Sequence, residues 1–526
     1  MGKKQNIDKL KQAFGQPKEE GYRMEFVERY FAHKKHSDAF QVLSDKTCND
    51  LDFEEFFMFL DRTSSRVGQQ CLYHRLRAIP HPDPAQEAKE NLIREFSQNE
   101  ALRLDTQLQL HKLEGDDVYF IPSLFQEEHQ APPQWFPVVK LLAFTSLLLL
   151  LLMPFNPQLL LAFGAVYIAN IGVHYWNKRN LYHYLGSIPQ LLRLSAVAEY
   201  LYQNPALQFL DKDLPGAIQV IKRVRNRMSF FRLETGMQSD IGAALWGATE
   251  LLKIAFLVEP LLLFGVLKNL DTKRKELEQL FLFVGEIDVL ISIASLRNGL
   301  EHYCLPELTG TKLEAKRVYH PLIEGCVENT IALSDKSVLL TGSNMSGKTS
   351  FIRTIGLNAI SGMALNTCFA EAMAMPRLQI ASAIRISDDL LNDKSYYFEE
   401  VLRIKQMIEK SREEAPCLFL LDEIFKGTNT VERISAGKAV LSALAKNRNV
   451  VFVATHDIEL TELLQDEYEL YHFSEVVNDK NVDFDYKLKS GRLTTRNAIR
   501  ILQINDYPED LVKEAVALSK RLDEER

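Results

Sequence analysis

The sequence predicts an α + α/β chain. A helical region is interrupted by an apolar hairpin of membrane-spanning length, then gives way to a P-loop α/β domain and a closing helix-turn-helix. Three observations carry this reading. Residues Gly342 to Thr349 spell GSNMSGKT, behind the apolar run Ser337 to Leu340 and ahead of a helical pattern. Trp135 to Met153 and Pro157 to Trp176 are two apolar stretches, each close to the ~20 residues a helix needs to cross a bilayer. On either side of them apolar residues recur at i, i+3 and i+4, the spacing of amphipathic helices.

Composition bounds the problem. With 526 residues, two or more domains are expected, and 46% hydrophobic with 25% charged residues is ordinary for a chain with sizeable cores. The net charge of −8 excludes a basic field over the whole chain and argues against strong nonspecific affinity for nucleic acid. Six cysteines are scattered without a C-x-x-C pair, which reads as reduced thiols rather than a disulfide or zinc framework.

The elements follow in order. Residues 1–45 form a charged leader without the apolar core of a signal peptide. Residues 46–134 open a helical core, in which NDLDFEEFFMFLDRTSSRVGQQCLYHRLRAIP has helical spacing and stops at Pro80 and Pro82. Residues 135–178 are the hairpin, split by the turn Pro154-Phe155-Asn156-Pro157, with Trp135, Tyr175 and Trp176 where interfacial aromatics belong. The turn has no Lys or Arg, whereas Lys140 precedes it and Lys178-Arg179 follow, so the open ends should face the cytoplasm. The other reading of this hairpin is a helical pair buried in a large soluble core. One hairpin without polar intramembrane residues offers no pathway, which argues against a transporter.

Residues 179–310 continue the helical region. Within it, Ile241 to Leu267 is apolar but contains Glu250, Lys253 and Glu259-Pro260, and reads as a buried or interfacial helix pair. Lys222 to Arg232 (KRVRNRMSFFR) is a cationic patch, either a phosphate-contacting surface or a solvated helix face. Residues 311–496 form the P-loop domain, and 497–526 a helix, a turn at Pro508 and a second helix.

The chemistry concentrates in the P-loop domain. Glycines at 342 and 347 let the backbone curl so that successive N–H groups form an anion nest, aided by the dipole of the following helix. In this pattern Lys348 reaches the β- and γ-phosphates and Thr349 places its hydroxyl on Mg²⁺. Cys417 to Ile424 (CLFLLDEI) is an apolar strand ending in two carboxylates. Asp422 suits Mg²⁺ and Glu423 suits the base that orients the attacking water. Val450 to Thr455 is a third strand run, delivering His456 to the same sheet edge as a γ-phosphate contact.

GSNMSGKTSFIRTIGLNAI, SDDLLNDKSYYFEEV, LLDEIFKGTNTVE and ATHDIELT, in that order, resemble the ABC-type ATPase domain of the MutS family of DNA mismatch-repair proteins. The resemblance covers roughly residues 311 to 526, opening at Tyr319-His320-Pro321-Leu322. It implies ATP and Mg²⁺ as ligands, with Gly342, Ser343, Asn344, Met345, Ser346, Gly347, Lys348, Thr349 and Ser350 cradling the phosphates. It implies a homodimer in which Ser395 approaches the γ-phosphate held by the other subunit. It places Asn329 and the ring of Tyr486 on the adenine. The sequence departs from the family at Cys326, where an aromatic is usual, at Asn392 and Asp393 in place of glycines, and at Lys426 in place of arginine. Leu60-Asp61-Arg62-Thr63-Ser64-Ser65 with Gly68, Leu72 and Leu76 resembles the motif opening the family's helical core, which implies a chain that begins at the core without mismatch-reading or connector domains. Two outputs are consistent with all of this: a membrane-tethered ATPase acting on mismatched or branched DNA, and an ATP-driven membrane switch or scaffold without DNA.

Overall fold

A computed structural model describes residues 3–129, 131–228, 250–308, 310–343, 345–385, 396–477, 482–493 and 507–524. The expectations placed on Asn344, Ser395, residues 241–249, the end of the cationic patch and the helix over 497–506 lie outside the described residues. The chain divides into two units, each discontinuous in sequence. The first comprises Met1–Lys35, Leu60–His74 and Asp83–Gly299; the second comprises His36–Phe59, Arg75–Pro82 and Leu300–Arg526.

The first unit is helical. Its axis is the helix Arg274–Gly299, whose Leu277, Leu280, Phe281, Val284, Ile287 and Ile291 are all buried. Polar groups in this core are matched rather than omitted. Asp288 accepts from Ser64 N (2.8 Å), Ser65 N (2.8 Å) and Ser65 Oγ (2.5 Å), closing the start of the helix Arg66–Arg77. Burial pushes the Asp288 carboxyl up to about 6. Gly68 is required here, since a Cβ at that position would lie 2.2 Å from the Asp288 carboxylate. The Leu60–Gly68 motif is thus a capping device: Asp61, also buried, accepts from Thr63 N, Thr63 Oγ1, Gln69 and Lys18.

Among the described residues of this unit, two helices are long and apolar enough to cross a membrane, Leu159–Asn177 and Arg274–Gly299. The second is 83% buried and is the core helix just described; the first is only 11% buried. It pairs with the apolar helix Phe136–Leu152, and the Trp135 and Trp176 rings meet edge to face at 4.7 Å where the pair opens. Leu141, Phe144, Leu151, Phe155, Leu161 and Ile168 all face outward. The second hairpin helix does not end at the hairpin: it runs unbroken to Tyr202, and Ile188 to Ala198 carry its buried face through the unit.

The hairpin corrects one expectation. It is not free of polar groups, because Ser146, Asn170, His174 and Asn177 are buried within it. The apolar run that follows residue 250 is a helix pair, as its composition suggests. One helix ends at Leu257, held in the left-handed region at φ 49°, and the next spans Val258–Asp271.

The strands belong to the second unit. They are β1 (Ala39–Val42), β2 (Ala78–Pro80), β3 (Glu314–Val318), β4 (Asn329–Ala332), β5 (Ser337–Thr341), β6 (Ala372–Ala374), β7 (Gln379–Ala383), β8 (Cys417–Asp422), β9 (Val450–Ala454), β10 (Tyr468–His472), β11 (Glu475–Val477), β12 (Val482–Phe484) and β13 (Lys489–Ser490). The main sheet has the order β13-β10-β5-β9-β8-β7, parallel except at β13. Parallel strands are covered on both faces, which is why β5, β8 and β9 read as continuous apolar runs rather than alternating ones. Every residue of β5 is buried, and Phe419, Leu421, Val451 and Val453 fill one face with Leu441 and Leu444 of the helix Thr430–Leu444. Each such side chain contributes about 1.5–3 kcal/mol through burial.

Candidate functional site

Strand register assembles the site. Leu340 pairs with Ala454 and Ala454 pairs with Asp422, so three neighbouring strands end level. The residues that follow (Gly342 after β5, His456 after β9, Glu423 after β8) therefore emerge at one carboxyl edge, where open α/β sheets bind ligands.

The phosphate loop has the geometry its spelling demands. Gly342 (φ 146°) and Gly347 (φ 101°) occupy conformations closed to other residues, and a Cβ on Gly342 would lie 2.7 Å from both Phe473 O and Ser346 Oγ. Gly347 caps the helix Lys348–Leu365. Lys348 is buried and donates to Gly342 O (2.7 Å) and Ser343 O (2.8 Å); burial lowers its ammonium pKa. Ser346 donates to Ser343 O, Met345 projects outward, and Ser350 sits in the first turn of the helix.

The carboxylates differ sharply. Asp422 accepts from Thr349 Oγ1 at 2.6 Å through one oxygen, while its other oxygen is buried without a hydrogen-bond partner among the described residues. Burial raises its carboxyl. Glu423 sits in the left-handed region (φ 52°) and is gripped from both sides, by His456 Nε2 at 2.9 Å and Lys426 Nζ at 2.6 Å. Burial would raise its carboxyl, but these two contacts outweigh it and hold the group at about 2. Lys426, where the sequence departs from the expected arginine, is thus a direct partner of Glu423.

Asn329 and Tyr486, far apart in sequence, are brought together. Asn329 Nδ2 donates to Tyr486 O (3.1 Å), and its Oδ1 accepts from Leu488 N (2.7 Å). Tyr486 is itself left-handed (φ 51°), and its ring edge would lie 3.3 Å from a Cβ on Gly347.

Other residues of this site escape sequence reasoning. Gln41, in β1, exchanges hydrogen bonds with Ile380 on the outer strand β7 (Nε2 to O 2.6 Å, N to Oε1 2.7 Å), acting as an added strand partner. Asp50, at the end of the helix Asp45–Asp50, accepts from Ile384 N, Arg385 N and the Arg403 guanidinium. It therefore ties the residues that follow β7 to the helix Tyr396–Lys410. Glu400, in the helix Tyr396–Lys410, is buried and accepts from Phe425 N, two residues beyond Glu423. Burial raises its carboxyl. The one visible signal was an acidic residue on the apolar face of FEEVLRI; nothing local marks Gln41 or Asp50.

A P-loop, a strand-end Asp-Glu pair and a histidine on the adjoining strand, level on a parallel sheet, define a nucleotide triphosphatase of the P-loop class. Residues 338–523 match the family model for MutS domain V, a match that supports an ATP-hydrolysing activity for this part of the chain. The DNA mismatch repair protein MutS of Thermotoga petrophila is 30% identical over 273 residues, 48% of this chain and 33% of that protein. Its counterpart from Petrotoga mobilis is 32% identical over 272 residues, 49% of this chain and 33% of the relative. The one from Exiguobacterium sp. is 29% identical over 271 residues, 49% and 32% respectively. The match thus spans about a third of the length of these curated relatives.

Proposed function

We propose that the chain is a membrane-tethered, ATP-hydrolysing switch of MutS type that works as a homodimer, its ATPase domain facing the cytoplasm. The observation that carries this reading is the level edge of β5, β9 and β8, which gathers Lys348, Thr349, Asp422, Glu423 and His456. Ser343 Oγ and Asp422 Oδ1 are buried without partners among the described residues, and such atoms are costly unless a ligand meets them. That donor set fits a phosphate beside a hard cation. Among the described residues no group of three or more His, Cys, Asp or Glu could cage a metal, which suits Mg²⁺, an ion that takes one or two protein oxygens and fills its shell from phosphates and water.

In this reading Thr349 and Asp422 hold Mg²⁺, which neutralises phosphate charge when bound. Lys348 leaves the loop carbonyls for the β- and γ-phosphate oxygens. Residues 342–350 wrap the phosphates, with Asn329 fixing Tyr486 as a stacking face for the base. Glu423 orients the attacking water once it is released from Lys426, and His456 remains as its partner and γ-phosphate contact. Ser395 acts across the dimer. The exposed apolar pair 135–178 is the tether, since a patch of this kind is covered by lipid or by protein.

The relatives are named for DNA mismatch repair, and on that basis mismatched or branched DNA is the leading ligand. A second reading, a membrane switch or scaffold without DNA, is favoured by the outward-facing apolar hairpin and the net charge of −8. Purified full chain in detergent should bind and hydrolyse Mg·ATP, and Lys348→Ala should lose both; hydrolysis surviving that change would overturn the site. Salt titrations against duplex, mismatched and branched DNA separate the two outputs: a steep slope supports DNA, and no binding at low salt supports the second reading. Resistance to alkaline carbonate tests the tether.

A further inference from the structure

Two cysteines of the second unit face each other across a short backbone ladder. Cys304 N donates to Cys368 O (3.0 Å) and Cys368 N donates to Cys304 O (2.9 Å), so the two residues form a hydrogen-bonded antiparallel pair. The Cα atoms of such a pair stand about 5.5 Å apart, inside the range of roughly 4.4–6.8 Å that a disulfide spans. The same segment is fixed again three residues on, where Glu307 N donates to Met373 O (2.9 Å) and Met375 N donates to Glu307 O (2.9 Å). Both cysteines are free thiols.

The pair is unequal. Cys304 is half-buried, in a segment whose Glu301, Tyr303, Leu305 and Glu307 are exposed, and it is the member of the pair open to solvent. Cys368 is fully buried. Its sulfur lies in a gap left by Gly362 in the helix Lys348–Leu365, where a Cβ would stand 2.8 Å from Cys368 Sγ and 3.3 Å from Pro306 Cγ. The two side chains hydrogen-bond to each other, and Cys368 Sγ has Asn358 O as a second acceptor at 3.5 Å. The bond from Cys368 holds the Cys304 thiol below its ordinary value, outweighing burial, whereas burial pushes the Cys368 thiol up. Thiolate character therefore resides on the reachable sulfur, the arrangement of an attacking thiol beside a resolving one.

We propose that Cys304 and Cys368 are a reversible disulfide-forming site whose co-substrate is a low-molecular-weight disulfide of the glutathione kind. The Cys304 thiolate attacks one sulfur of the small disulfide; that S–S bond breaks, a new one forms to Cys304, and one small thiolate leaves with the electron pair. Cys368 then gives up its proton and attacks the Cys304 sulfur, expelling the second small thiolate. Two protein thiols are oxidised to one disulfide, the small disulfide is reduced to two thiols, and the two cysteine protons end on the leaving groups. The new bond closes a loop from 304 to 368 that contains β3, β4, β5, the phosphate loop and the helix Lys348–Leu365. A cross-link restricts the unfolded chain over that loop, so oxidation fastens the phosphate-binding part of the unit and reduction by small thiols releases it. None of this requires the tether, the dimer or DNA.

The test is a redox titration of the full chain in detergent, equilibrated with mixtures of reduced and oxidised glutathione, quenched by alkylation, digested and read by mass spectrometry. The expected result is a peptide joining Cys304 to Cys368, absent in reduced buffer, the principal form of both cysteines in oxidised buffer, and lost again on return to reduced buffer. Both cysteines recovered as alkylated thiols at every ratio, or glutathione held on wild-type Cys304 without the cross-link, would overturn the proposal. The cross-linked chain should also unfold several degrees above the reduced one, and an unmoved unfolding temperature would overturn the fastening. Cys368→Ala should trap the glutathione adduct on Cys304, and a folded variant left unmodified would overturn the order of attack. If that variant does not fold, the wild-type titration still decides, because neither of its outcomes needs a substitution.

Discussion

The molecule contains two histidine–carboxylate contacts of similar length in opposite surroundings. At the sheet edge, His456 lies 2.9 Å from Glu423 and is 41% exposed. In the hairpin unit, His174 lies 3.3 Å from Glu250 and is 2% exposed. Water can replace a lost partner at the first and cannot at the second. The edge contact is therefore free to be broken and remade during a reaction, while the buried one is a structural commitment whose loss leaves a charge out of reach of water. Substitutions at the two should fail in different assays.

The largest effect is expected at the edge, in rate. Glu423→Gln keeps the shape and removes the base proposed above, so on that reading turnover should fall by about 10²–10⁴-fold. Nucleotide affinity should be retained, and the unfolding free energy should move by less than about 0.5 kcal/mol. Steady-state phosphate release, nucleotide binding and denaturant unfolding measure the three, and unchanged turnover would remove Glu423 from the chemistry. The next effect is in stability, at the buried ion-pair cluster of His174, Glu250, Lys253 and Glu259. Lys253→Met removes the ammonium that lies 3.5 Å from Glu250 and 3.3 Å from Glu259, which should cost about 3–5 kcal/mol. His456→Ala should cost less than about 1 kcal/mol. Unfolding both variants in one detergent sharpens the comparison; equal costs would break it.

What the sequence made legible follows from how local each signal is. Gly342, Gly347, Lys348 and Thr349 are neighbours whose roles are written in one loop, and Asp422, Glu423 and His456 each end an apolar run, so their meeting could be read from strand order. Asn329 and Tyr486 were paired only through the family resemblance, and the fold brings them within hydrogen-bond reach. The buried cluster of His174, Glu250, Lys253 and Glu259 was invisible because its members come from three separate helices, and a histidine in an apolar stretch looks like a tolerated exception. The contributions of Gln41 and Asp50 depend on segments 36–59 and 75–82 joining the ATPase unit, and no linear pattern carries that.

Lys426 tests how the edge contact is tuned. Glu423 is held at about 2 against an ordinary 4.5, so the stabilisation its ionised form provides is present above pH 4.5 and lost as pH falls through about 2. Lys426→Met removes one of the two contacts. The carboxyl should rise toward its ordinary value, and the acid limb of the turnover profile should move to higher pH with it. A limb that stays in place would mean that Lys426 is not a partner of Glu423 in the working enzyme.

The smallest effect should come from Asn329→Ala. Two hydrogen bonds to the backbone around Tyr486 disappear, and that residue is already in a left-handed conformation that only its surroundings maintain. The ring should drift from its place beside Gly347, weakening nucleotide binding by roughly five-fold, about 1 kcal/mol, with turnover at saturation unchanged. Tyr486→Phe keeps the ring face and, on the proposed stacking role, should bind as the wild type does. If the phenylalanine variant weakens binding as much as Asn329→Ala, the hydroxyl rather than the ring is the contact, and Asn329 orients a donor instead of a stacking surface.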